Sequence, residues 1–249
     1  MLLVNFYPVH YNCERQPRTA WRLFDAQALW IFGQQLLQHG NYYNMVKLAL
    51  LEKGLPFEEV LFYPGQTPQT LAISPRGKVP VLAVEQGFIH ETSVILEYIE
   101  STQGGKPLLP REPFQRAQVL ALAREIELYI ELPARTCFAE AFFGMSVPQA
   151  IKDKARDELL LGFASLKRHG KFAPYVAGSE FSVADLYFLY SVDVACEVGK
   201  KLLGIDLLAE MPEAKALLAQ LQQMDHAKRI AADKAAVMPG FLAMIAAKK

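Results

Sequence analysis

SPRGKVPVL at residues 74–82, followed by HETSVILEYIE at residues 90–100, is the stretch on which the fold turns. Val79–Val84 reads as a compact strand after Gly77-Lys78, Glu85–Gly87 as a tight turn, and Phe88–Ile89 as the returning strand. Thr92–Glu100 then reads as a helix that can bury Val94, Ile95, Tyr98 and Ile99. Proline lacks an amide donor and is awkward where a strand must pair centrally. A cis Val79–Pro80 bond would leave the Val79 amide and carbonyl facing an extended peptide ligand, although an ordinary turn ahead of a strand has the same sequence. At the other end of the hairpin, Thr92 and the free amides of a helix start could hold a carboxylate while Glu91 pairs with an ammonium; a solvated helix cap is the plainer alternative. The spacing from Pro80 to Glu91 puts both ends on one side of the domain, about one short peptide apart.

Working outward, an apolar strand is expected near Leu29–Gly33 and a helix from Asn41 that buries Val46, Leu50 and Leu51 and stops at Lys53-Gly54. Phe57–Phe62 is the next strand, and Pro64–Pro75 is a turn-rich connection with a short helix. The order gives a small mixed sheet covered by helices over residues 29–104, with 105–113 as the linker. Residues 1–28 fall outside this pattern and read as an N-terminal extension.

Residues 114–249 favour helix throughout, with expected segments at 114–131, 151–169, 182–198, 213–229 and 232–247, so this half reads as an all-helical bundle. In GSEFSVAD, Ser182 and Asp185 have the spacing of a capping box, which makes Asp185 a folding residue and not a base.

A formal net charge of zero supplies no long-range attraction for nucleic acid or anionic lipid, so neither is an expected partner. Cys13, Cys137 and Cys196 are widely spaced, without a C-x-x-C pair or metal-ligand cluster, which points to a reducing compartment and no metal. Neither a signal peptide nor a long apolar span is apparent, and the expected location is cytoplasmic.

The order NYYNMVKLALLEKGLPFE, SPRGKVPVL, ETSVILEYIE and GSEFSVAD resembles the glutathione S-transferase superfamily from about residue 29 to the C-terminus, in the manner of the cytosolic bacterial enzymes. The resemblance implies a thioredoxin-like α/β N-terminal domain, a C-terminal helical bundle and a homodimer. It also implies reduced glutathione as cosubstrate, its thiol activated for reaction with a small hydrophobic electrophile. Val79 would bond the cysteinyl part of glutathione, Pro80 would be the cis-proline, Glu91 and Thr92 would bind the γ-glutamyl end, and Lys78 or a residue near it would approach the glycyl carboxylate.

At the thiol, Gly40 falls where the family places a serine, and it has no side-chain donor. Tyr42 is the first candidate for the thiolate donor and Tyr43 the second, with His39 a weaker one. Tyr129, Phe138, Phe142 and Phe143 could face the interdomain cleft, although aromatic residues at this spacing more often belong to a core, as does Cys137. A noncatalytic glutathione-binding or protein-interaction member of the same superfamily is the alternative reading.

Overall fold

A computed structural model describes residues 29–33, 40–62 and 64–246. The extension at 1–28 and His39 lie outside the described residues. The N-terminal half runs β1 (Leu29–Gly33), α1 (Asn41–Glu52), β2 (Phe57–Leu61), α2 (Pro68–Ile73), β3 (Val81–Val84), β4 (Gly87–His90) and α3 (Thr92–Thr102). The sheet order is β2-β1-β3-β4; β1 and β2 are parallel, and the β1–β3 and β3–β4 pairs are antiparallel.

Alternation along β3 splits its side chains between two layers, as strand geometry requires. Leu82 joins the core made with α1 and α3, whereas Val81 and Ala83 pack with Val60, Phe62, Ile73 and Phe88 on the other face. The strand is two residues shorter than the sequence pattern suggests because Val79 and Pro80 form a bend at its entrance and the Val79–Pro80 peptide is cis. Ser74 fixes this bend: its hydroxyl accepts from the Lys78 amide at 2.9 Å and donates to the Lys78 carbonyl at 2.8 Å. Gly77, at φ 61°, passes so close to the Gly65 carbonyl that a Cβ would lie 1.7 Å from its oxygen. Only glycine fits there.

The C-terminal half is helical: α4 (Pro113–Ile126), α5 (Leu132–Arg135), α6 (Phe138–Phe143), α7 (Gln149–His169), α8 (Val183–Tyr187), α9 (Asp193–Val198), α10 (Pro212–Gln222) and α11 (Asp225–Ala246). The chain is therefore a thioredoxin-like α/β domain followed by a helical bundle. Asp185 is fully buried and accepts from the amides of Val176 and Ser182 and from the Ser182 hydroxyl, so the capping box is present and carries an extra bond to a neighbouring loop. The helix expected over 213–229 is instead broken: α10 ends at Gln222, and an acidic first turn at Asp225 begins α11, which absorbs the separate helix expected at 232–247. No helix among the described residues is long and apolar enough to cross a membrane.

The second departure matters more for function. Between α4 and α5 the helix widens into a π-helical turn at Glu127–Glu131. Pro133 explains it, since a proline here cannot donate to the carbonyl one turn back, and an extra residue per turn relieves the clash. The Tyr129 carbonyl is packed against Gly162 of α7, where a Cβ would come within 2.2 Å of its oxygen. Tyr129 itself is 55% exposed and borders an outer groove with Leu132 and Leu161 on the α7 side, in place of the cleft position considered from sequence.

Ala for Gly in a helix normally stabilises by about 1 kcal/mol. At Gly162 the clash should reverse that sign, so Gly162→Ala is expected to lower the denaturant midpoint by the equivalent of about 2 kcal/mol at unchanged m-value. A midpoint above that of the parent would contradict the close approach of α4–α5 to α7.

Candidate active site

The β3–β4 register pairs Val81 with His90, so Val79 and Glu91 emerge together at one end of the hairpin. Among the described residues neither the amide nor the carbonyl of Val79 makes a hydrogen bond. Glu91 is the N-cap of α3 and adopts φ 71°, a left-handed conformation that a residue with a Cβ holds at a cost. Its side chain does not cap the helix. The first internal bond of α3 runs from the Ile95 amide to the Glu91 carbonyl, which leaves the amides of Thr92, Ser93 and Val94 without partners among the described residues. The Thr92 hydroxyl has none either, on a residue only 6% exposed. Lys78 is exposed beside this edge. A peptide lying across the end of the hairpin would meet a backbone donor and acceptor at Val79 and a carboxylate-binding helix start at Thr92.

The start of α1 forms the third side. Gly40 is its N-cap without a side-chain bond, and the first internal bond is that from the Asn44 amide to the Gly40 carbonyl at 2.8 Å. Asn41 turns its amide away, toward the helical domain, where Nδ2 donates to Glu131 Oε2 at 3.2 Å and to the Tyr190 carbonyl at 3.0 Å. Glu131 sits in the π-helical turn, fully buried, and is paired with the Arg135 guanidinium. That guanidinium also lies over the rings of Tyr42, at 4.9 Å from the centroid, and Phe138, at 5.0 Å.

The two candidate phenols have opposite fates. Successive residues of a helix point about 100° apart. Tyr42 is half-buried between Arg135 and the carboxylate of Glu127, and burial together with Glu131 and Glu127 raises its pKa. Tyr43 is 4% exposed and donates to Glu59 Oε2 at 2.5 Å. Glu59 lies on β2, which β1 separates from β3, and Lys47 also reaches it while binding Asp233 of α11. Tyr43 thus belongs to a buried tie between sheet, α1 and α11, and burial raises its pKa, followed by the bond to Glu59.

Glu127, Glu131, Arg135 and Ser74 were not singled out by sequence reasoning. Glu127 and Glu131 sit one turn apart on a helix read only for its apolar face, and Pro133 just beyond them was the available signal of an irregular turn. Phe138 is buried and meets the half-buried Phe142 edge to face at 5.3 Å, and Cys137 is fully buried, its thiol pKa raised mainly by that burial.

Arg135 is what neutralises the buried Glu131. Arg135→Ala should therefore cost about 3 kcal/mol of stability, because it strands an uncompensated carboxylate. Denaturant titration measures this, and a loss below about 0.5 kcal/mol, as for an ordinary surface substitution, would contradict the pairing.

Comparison with known proteins bears on the fold and the family. The family of the glutathione S-transferase N-terminal domain matches residues 38–107. A glutathione S-transferase of Pseudomonas putida is 66% identical over 209 residues, which cover 84% of this chain and 95% of that protein. A maleylacetoacetate isomerase from Methylobacterium extorquens, solved with malonate and GSH, is 27% identical with a TM-score of 0.62 and covers 81% of this chain and 95% of its own. Poplar glutathione transferase F1 shares the fold at 22% identity and a TM-score of 0.70, over 84% of this chain and 99% of that one. The chain belongs to the glutathione S-transferase family.

Proposed function

We propose that this chain is a glutathione transferase that binds reduced glutathione along the end of the β3–β4 hairpin and activates its thiol toward a small hydrophobic electrophile. The observation that carries this reading is the pairing of a Val79 backbone unbonded among the described residues with an α3 whose N-cap side chain makes no bond, one hairpin end apart, in a relative 66% identical to a protein named as a glutathione S-transferase. Val79 would bond the central peptide group, Thr92 and the first amides of α3 the γ-glutamyl carboxylate, Glu91 its ammonium, and Lys78 the far carboxylate. Pro80 shapes the bend that presents Val79.

The sulfur then falls at the start of α1, where first-turn amides without partners among the described residues favour negative charge. Tyr42 is the phenol on this side; the Tyr43 hydroxyl already donates its hydrogen bond to Glu59. The half-buried Phe142, packed on Phe138 beside Arg135, offers apolar surface for the electrophile. Holding both reactants in one cleft lowers the entropic barrier, and ionising the thiol raises the nucleophilic fraction. Gly40, which supplies no donor, favours the alternative of a noncatalytic glutathione-binding member.

The exposed apolar residues Leu128, Tyr129, Leu132 and Leu161 lie together on the α4–α5 and α7 face and support self-association as a homodimer. The widely spaced cysteines support a reducing, cytoplasmic setting.

Steady-state turnover of glutathione with an activated aryl halide tests the enzyme reading. Tyr42→Phe is expected to lower kcat/KM at neutral pH at least tenfold while glutathione binding persists. Unchanged turnover would remove Tyr42 as the donor, and no turnover by the parent protein would favour the noncatalytic alternative.

A further inference from the structure

A cavity of about 270 Å³ opens between α1, α9, α10 and α11. It exceeds the roughly 150 Å³ that holds a benzene ring and falls just short of the roughly 300 Å³ at which drug-sized sites begin, so its occupant has the size of a small metabolite. One wall is apolar, made by the buried Val194 and Ile230. The polar walls are already held in place. Gln222 of α10 donates to Asp193 of α9 at 2.9 Å, and Asn41 of α1 donates to the Tyr190 carbonyl at 3.0 Å. The helix that carries Lys234, α11, is stapled to α1 by the Lys47–Asp233 pair at 2.8 Å and the contact of His226 with Glu52 at 3.0 Å.

The charges around this space do not close among themselves. Glu197 is paired with Lys201 at 3.3 Å. Among the described residues Asp193 has only the neutral Gln222 amide, and the Lys234 ammonium has neither a hydrogen bond nor an ion pair, although both side chains border the same cavity. The side-chain amide of Asn44 is likewise without a partner among the described residues, and Tyr190 ends in a buried hydroxyl that has none. Asp193 is wetted from the mouth of the cavity but ringed by protein; burial pushes its carboxyl up and the Lys234 ammonium down.

An anion placed here would meet Asp193, and a cation would meet Lys234. An apolar molecule would strip water from both charges without replacing it. A molecule that carries both charges a few bonds apart satisfies the two together. We propose that the cavity binds a small zwitterionic amino acid, with its ammonium on Asp193, its carboxylate on Lys234 and the Asn44 amide, and its carbon skeleton against Val194 and Ile230. The site is separate from the one proposed for glutathione and does not depend on it. Occupancy would tie α11 to α9 alongside Asn41, the residue that bonds the buried Glu131.

Calorimetric titration of L-alanine, β-alanine and γ-aminobutyrate, which differ in the spacing of their charges, into the glutathione-saturated full chain tests the proposal. Saturation keeps the probes out of the glutathione site. The expected result is one molecule of at least one probe bound per chain, with no binding of propionate or propylamine, which carry one charge each. Asp193→Asn and Lys234→Met should each weaken binding at least tenfold, and Lys234→Arg should retain it. Ala231→Phe, at an exposed α11 position that borders the cavity, fills the space without removing a charge and should abolish binding while glutathione affinity stays unchanged. No binding of any probe over a millimolar range, equal binding of propionate or propylamine, or binding that survives Ala231→Phe would overturn the proposal. If the chain binds no glutathione, that reading falls alone, and the same titrations into the unliganded chain decide the cavity.

Discussion

The buried carboxylate of Glu131 is the constraint around which the site is arranged. Removing a carboxylate from water costs several kcal/mol unless a cation and further donors replace the lost hydration. Arg135 supplies the cation and Asn41 the donor, and Asn41 is the first residue of α1. The first turn of the N-terminal domain's central helix is thereby fixed to the helical domain, and the orientation of Tyr42 under the same guanidinium follows. The π-helical turn that carries Glu131 depends in turn on Pro133 and on the absence of a side chain at Gly162.

The charge pattern of the groove is unusual for a site meant to hold a thiolate. Glu91, Glu127 and Glu131 surround the start of α1 and α3, with Arg124 and Arg135 as the nearby cations, each already paired with one of those carboxylates. A thiolate added to this set would face repulsion from the carboxylates that the paired cations offset only in part. The helix amides at the start of α1 supply a fixed favourable potential of the opposite sign.

The hairpin, the α3 start and the Ser182–Asp185 capping box were legible in the sequence because each depends on residues close together in the chain whose types have few alternative uses. The bend at Val79–Pro80 was legible as a possibility, whereas Ser74, which clamps it, was not, since a buried serine has no pattern of its own. Spacing could not separate Tyr42 from Tyr43; that choice depends on Glu59, Lys47 and Asp233, which come together only in the folded chain. Helical periodicity likewise hid Glu127 and Glu131, because a π turn shifts the buried face by one residue and brings polar groups inward. The break at Gln223–Met224 was missed for the related reason that apolar periodicity continues across it.

The central claim is that the end of the β3–β4 hairpin and the starts of α1 and α3 form one glutathione site. Isothermal titration calorimetry of reduced glutathione into the full chain tests it most directly, with Thr92→Val as the companion titration. The account predicts one molecule bound per chain and an affinity at least tenfold weaker when the Thr92 hydroxyl is removed; no binding over a millimolar range of glutathione, or equal affinity for both proteins, would contradict it.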